Sequence, residues 1–174
     1  MGKPNPTPAR LTAYELVHQV NRQGAYANLR LPELLAKSKM TQADKAFTTE
    51  LAYGSLRMQG QHDYIAAKYL DRPFSEVDEK IQDLLRIGIH QITQMRVASH
   101  AAVSETVEVA KLVAGESKAS YVNAILRKVS TNDNISPLIQ LLLYIDKNSN
   151  DKILNKKIEF IKDKLKEIDN NFIF

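Results

Sequence analysis

The 174-residue sequence predicts an all-α protein, with about seven helices gathered in one bundle and a C-terminal helical extension. Three observations lead there. Apolar residues recur at spacings of three and four, no segment alternates apolar with polar residues as a half-buried strand does, and there is no cysteine to staple an irregular fold.

The elements follow in chain order. Residues 1–7 read as an extended arm stiffened by Pro4 and Pro6, and Thr7-Pro8 supplies an N-cap followed by proline at the first helical position. Ala13, Leu16, Val17 and Val20 then share one face of a first helix. A short second helix is expected from about Pro32, with Leu31, Leu34 and Leu35 apolar. Thr41-Gln42-Ala43-Asp44 opens a third, which carries Phe47, Leu51, Gly54 and Met58, and Gly54 marks a close helix approach. A fourth is expected after His62, from Tyr64 to Leu70, closed ahead of Pro73. The strongest periodicity belongs to the fifth, with Ile81, Leu84, Leu85, Gly88, Ile92 and Met95 on one stripe, so it is expected to be central. Val103, Val107, Ala110 and Val113 form a sixth that stops at Gly115, and Val122, Ile125, Leu126 and Val129 a seventh. Further on, Ile135 to Leu142 and Leu154 to Ile168 repeat at helical spacing and would pair as a hairpin.

Composition divides the chain near residue 130. All eight arginines, six glycines and seventeen alanines precede it, whereas residues 131–174 are rich in Lys, Asn and Ile. The codons favoured on the two sides differ in base composition, which points to a separate genetic origin for the tail, with a lineage-specific extension as the alternative. The net charge of +4 and pI near 9.2 suit a polyanionic partner. That excess lies in residues 1–130, which hold 17 Lys+Arg against 13 Asp+Glu, while the tail holds 7 of each. No run approaches the roughly 20 apolar residues of a membrane span, and the first residues lack the apolar stretch of a signal peptide, so a cytoplasmic protein is expected.

Catalytic and metal chemistry find little footing. Without cysteine there is no thiolate nucleophile or zinc ligand, and no Gly-x-Ser-x-Gly occurs. His18, His62, His90 and His100 lack metal-ligand spacing, and His90 reads as a residue at the edge of the core. Gly115-Glu116-Ser117-Lys118 is only a fragment of a phosphate loop, better explained as a helix C-cap. Neither a metal nor a cofactor is expected in this chain.

Several phrases are more specific than their periodicity: Phe47-x-x-Glu50-Leu51-x-Tyr53-Gly54-x-Leu56-Arg57, Leu85-Arg86-Ile87-Gly88-x-x-Gln91, Arg96-Val97-x-x-His100-Ala101-Ala102-Val103-Ser104-Glu105-Thr106-Val107-Glu108 and Tyr121-Val122-Asn123-Ala124-Ile125-Leu126-Arg127. In this order they resemble the NusB/RsmB domain family over residues 8–130. Within it, Ala124 and Arg127 are most similar to the amino-terminal domain of Sun/Fmu-type rRNA cytosine-C5 methyltransferases, because free-standing NusB antitermination factors usually end on Asn-Gly-x-Leu-Asp. The resemblance implies a NusB-like orthogonal helical bundle that binds RNA, small-subunit rRNA above all. It also implies a catalytic domain that uses S-adenosylmethionine and a cysteine. The tail has neither glycine nor cysteine, so methyl transfer by this chain unaided is not expected.

Binding to RNA would rest on cations for phosphates and aromatic faces for bases. Lys3 and Arg10 flank the start of helix one, and the resemblance places the family's arginine-rich RNA-binding edge there. Tyr121, beside Lys118, matches an aromatic near the family's RNA-facing side, with a core tyrosine as the alternative. Arg22, Arg57 and Arg127 would extend the surface, unless Arg57 and Arg127 form structural ion pairs with Glu50 or Glu105. Two other functions stay open. One is an antitermination factor that binds leader RNA together with a ribosomal protein, and the other is a helical protein-interaction module recruiting through the 154–168 stripe.

Overall fold

A computed structural model describes residues 5–131 and Lys156. The chain divides into two compact units, residues 1–131 and 132–174. Apart from Lys156, the tail helices expected at 135–142 and 154–168 lie outside the described residues, as does Lys3.

Seven α-helices make up the first unit: α1 Pro8–Gln23, α2 Ala27–Lys37, α3 Gln42–Arg57, α4 Gln59–Ala67, α5 Glu79–Thr93, α6 Ser99–Ala114 and α7 Glu116–Thr131, with a 3-10 turn at Phe74–Glu76 before α5. No strand occurs among the described residues, and the all-α expectation holds. Local chemistry sets most of the boundaries. Thr7 stands at the N-cap of α1 ahead of Pro8, but its hydroxyl accepts from Arg10 Nη1 at 3.2 Å instead of capping the backbone. Gly24, with φ at 68°, closes α1 in the left-handed conformation that glycine adopts without a steric penalty. At α3 the Thr41 hydroxyl accepts from the Asp44 backbone N–H at 3.2 Å, and at α5 the Asp78 carboxylate accepts from the N–H groups of Lys80 and Ile81. Such caps satisfy donors that a helix leaves open at its start. Gly115, with φ at 88°, is the single residue between α6 and α7.

Two helices begin earlier than the pattern predicts. α2 starts at Ala27, a full turn before Pro32, and carries that proline in its interior. Pro32 removes one backbone hydrogen bond, and its ring lies on the exposed side, where no packing opposes it. α4 starts at Gln59, separated from α3 only by Met58. Its inward stripe includes His62, which is fully buried, so a residue counted as polar belongs to the core.

α5 is the hub. It packs against α1, α3, α4, α6 and α7, and every residue from Ile81 to Ile92 is buried. Helices that surround it must therefore approach closely. Gly54 of α3 faces the His90 ring, into which a Cβ at that position would run, and Gly88 of α5 lies under Leu126 of α7, whose Cδ1 would sit 2.5 Å from an added Cβ. His90 is thus in the core and not at its edge. Its Nδ1 lies 3.3 Å from His62 Nε2, with the rings edge to face. Burial lowers the pKa of both imidazoles, His62 to about 3 and His90 to about 4. His90 and Arg86 add to the effect at His62, and at His90 Glu50 opposes it while Arg57 adds to it.

Two outcomes are expected. Gly54→Ala should cost about 1–3 kcal/mol by overpacking, lowering Tm by roughly 3–10 °C at this chain length; a thermal melt indistinguishable from that of the parent would refute the close approach. The buried histidines stay neutral in the fold while the unfolded chain takes up protons below about pH 6.5, so stability is complete above that pH. It falls as pH drops toward 4, by on the order of 1.4 kcal/mol per pH unit for each histidine. Denaturant midpoints at pH 7 and pH 5 test this, and a His90→Gln variant should show the smaller difference.

Candidate nucleic-acid interface

Polar residues within the buried span of α5 organise their surroundings. The Asp83 carboxylate, completely buried, accepts from Asn21 Nδ2 at 2.8 Å and from Arg86 Nη1 at 3.1 Å, lies 2.9 Å from His18 Nδ1, and is bridged by Arg22 at 3.3 Å and 3.4 Å. Arg86 forms a second, two-pronged pair with Asp63 of α4 at 2.7 and 2.8 Å. Burial works against the charge of Arg86, and the Asp63 and Asp83 carboxylates more than offset it, holding the guanidinium above its ordinary value.

This network determines what the sequence-nominated cations do. Arg10 donates from Nε to Gln91 Oε1 at 2.6 Å, reaches Glu105 at 4.0 Å and lies over the Phe47 ring; its side chain is 13% exposed. Its donors are turned into the junction of α1, α3, α5 and α6. Burial lowers the pKa of Arg10, with Glu105 opposing. Arg22, three turns further along α1, is held by Asp83, Gln82 and Glu79. Lys118 Nζ binds Asp78 Oδ2 at 2.6 Å, and that contact is the main reason the Asp78 pKa lies below the usual range. Tyr121 packs partly into the core and donates to Asp71 at 3.5 Å; burial, then Asp71, pushes its hydroxyl pKa up. Arg22, Lys118 and Tyr121 therefore converge on the acid-rich stretch from Asp71 to Asp83, each beside a carboxylate.

Arg127 stands apart. It is exposed, and among the described residues its guanidinium is bound only through Nε, to Asn123 Oδ1 at 3.2 Å, pairing with neither Glu50 nor Glu105; Glu105 faces Arg10 instead. With His100, Ser104 and Glu108 of α6 and Ser120 and Asn123 of α7, it lines an open groove of about 600 Å³ floored by Val103, Val107 and Ala119. Residues of two of the phrases quoted from the sequence, those around His100–Glu108 and Tyr121–Arg127, thus meet on one surface. On α7, Lys118 and Tyr121 lie on the side of residues 71–78, and Asn123 and Arg127 on the side of α6. Sequence reasoning missed Asp83 and Gln91 as anchors; their signal was a carboxylate and an amide among the apolar residues of one helix, with Gln91 also part of a quoted phrase. Among the described residues no three histidine or acidic side chains converge as a metal site would require, and no helix is long and apolar enough to cross a membrane.

Comparison with known proteins accords with this architecture. Residues 7–131 match the NusB family. A putative methyltransferase of Mycobacterium tuberculosis strain H37Rv is 41% identical over 129 residues, which cover 74% of this chain and 28% of that protein. The ribosomal RNA small subunit methyltransferase B of Vibrio vulnificus is 34% identical over 118 residues, covering 68% and 27%. The chain thus spans little more than a quarter of the length of these curated relatives. In fold it is similar to NusB of T. maritima, with a TM-score of 0.66 at 17% identity, covering 79% of this chain and 97% of that one. It is also similar to a chain from the complex of antitermination factors NusB and NusE with dsRNA, with a TM-score of 0.65 at 17% identity, covering 72% and 95%. The match over residues 7–131, on a bundle of seven helices with α5 buried at its centre, makes this chain a member of the NusB family.

Proposed function

We propose that residues 8–131 are the RNA-binding domain of a cytosine-C5 methyltransferase acting on small-subunit rRNA, and that the domain holds RNA for a catalytic domain outside this unit. The observation that carries this is the joint pattern of relatives: a NusB fold whose matched proteins are a putative methyltransferase at 41% identity and a ribosomal RNA small subunit methyltransferase B at 34%, while a structural neighbour comes from a complex with dsRNA. Affinity would come from phosphate contacts with modest support from base stacking. The Tyr121 ring and the exposed Arg127 guanidinium are the contacts proposed in the first unit, with Lys3 on the arm and Lys118 as a secondary cation. In this reading S-adenosylmethionine is held by the catalytic domain and not by residues 8–131. Methyl transfer would therefore belong to the catalytic domain. Such a protein would work in the cytoplasm.

Gel-shift titration of the full chain with small-subunit rRNA fragments tests the reading. Binding should weaken linearly on a log–log plot against salt, and Tyr121→Ala should cost about 1–3 kcal/mol if a base stacks on the ring. Binding that is absent or indifferent to salt would sink the proposal, and retention of a NusE-type ribosomal protein together with a leader RNA would favour antitermination. Arg10 separates folding from binding. Arg10→Ala strips the donor from a buried amide oxygen, so it should lower stability by about 1–3 kcal/mol while leaving the RNA affinity of the folded fraction near that of the parent. Loss of affinity without loss of stability would reverse that assignment.

A further inference from the structure

We propose that the corner joining α2 to α3, carrying Lys37, Lys39 and Lys45, is a phosphate-binding surface that grips the RNA backbone. The proposal rests on the RNA-binding reading and adds a cluster of unspent positive charge apart from Arg127. Many cations of the first unit are committed: Arg10 to Gln91, Arg22 and Arg86 to Asp83, Lys118 to Asp78, Lys111 to Glu108, Arg30 to Glu33, and Lys80 to the Val113 carbonyl. At this corner the ammonium groups of Lys37, Lys39 and Lys45 have no hydrogen-bond or ion-pair partner among the described residues.

The neighbouring acids are already engaged. Glu33 is held by Arg30 at 2.7 Å, and Asp44 accepts from the Thr41 hydroxyl at 2.7 Å. Residues 36–45 hold three lysines against that single aspartate. Local electrostatics does not call for all three. Lys37 suits the negative end of α2, but Lys45 stands near the positive start of α3, where a cation is disfavoured unless an anion offsets it.

The corner is also fixed in place. Ser38 closes α2 through its N–H and hydroxyl to the Leu35 carbonyl. The Thr48 hydroxyl, one turn after Lys45, lies 2.7 Å from the Asp44 carbonyl, 3.2 Å from the Ala9 carbonyl and 3.7 Å from Met40 Sδ. These contacts seat the corner against the first turn of α1, where the arm that carries Lys3 enters the fold. A polyanion passing the start of α1 would meet Lys39 and Lys45 next. Lysine ammonium groups act as point charges without the planar fork that reads a base edge, so this surface would hold backbone phosphates irrespective of sequence.

The test uses the full chain and a single-stranded fragment of small-subunit rRNA, titrated across KCl concentration. K37Q/K39Q/K45Q is compared with R96Q/K111Q/K128Q, which removes the same charge elsewhere. Each lost phosphate contact on a single strand flattens the log–log salt slope by roughly 0.7, so the first triple variant should be shallower by about 2 and the second near wild type. Acetylation footprinting of wild type should show Lys37, Lys39 and Lys45 protected by the RNA. Wild-type binding with an unchanged slope in the first triple variant and no protection overturns this surface alone, as does equal flattening in both triples. Absence of salt-dependent binding by wild type overturns it together with the RNA-binding reading.

Discussion

A helix buried on every side has to satisfy its own polar side chains from its neighbours, and α5 is such a helix. Gln82, Asp83, Arg86, His90 and Gln91 all lie within its buried span. Their partners come from several sides: Gln82 meets the carbonyls of Phe74 and Val77, Asp83 meets α1, Arg86 and His90 meet Asp63 and His62 of α4, and Gln91 meets Thr106 of α6 and Arg10 of α1. Apolar burial drives the helices together without direction. The polar set decides which helix lies where, because a neighbour rotated by one position would leave a charge or an amide buried and unpaired.

That division explains what the sequence reveals. The stripes of α5, α6 and α7 are legible because Leu, Ile and Val dominate them at spacings of three and four, and Thr41 and Gly115 announce the start of α3 and the end of α6. Two starts are misread because a residue type is taken at its usual behaviour. Pro32 reads as a helix opening although it lies inside one, and the fourth helix is expected only after His62 although His62 fills a core position within it. The site is harder, since its logic is long-range. Arg10 is correctly placed at the start of α1, but nothing near it in sequence shows that Gln91, 81 residues away, takes its Nε donor. Asp78 and Asp83 likewise take up Lys118 and Arg22 from distant helices. A count of cations by segment measures charge and not its availability.

The positive charge of the first unit is therefore unevenly spent. Around residues 71–83, Asp71, Asp78, Glu79 and Asp83 meet Arg72, Lys118, Arg22 and Arg86 in near balance. On the far side of α7, Arg127 opens onto a groove whose floor is apolar and whose walls carry Glu108, Glu116 and Lys111 beside hydroxyls and an amide. One helix thus presents two surfaces of different chemistry, and a ligand touching both would have to cross it.

Pro32 has a consequence for how the first unit breathes. α2 buries only Leu31 completely, lacks one rung of its hydrogen-bond ladder at Pro32, and turns Tyr26 and Leu29 outward. Local opening of such a helix exposes little apolar area, so it requires far less free energy than opening α5, and its amides belong to the low-stability end of the fold. The first unit combines a rigid axle with one loosely latched blade, and of the three corner lysines only Lys37 rides on that blade, so it alone can shift with α2 while Lys39, Lys45 and the hub keep their places.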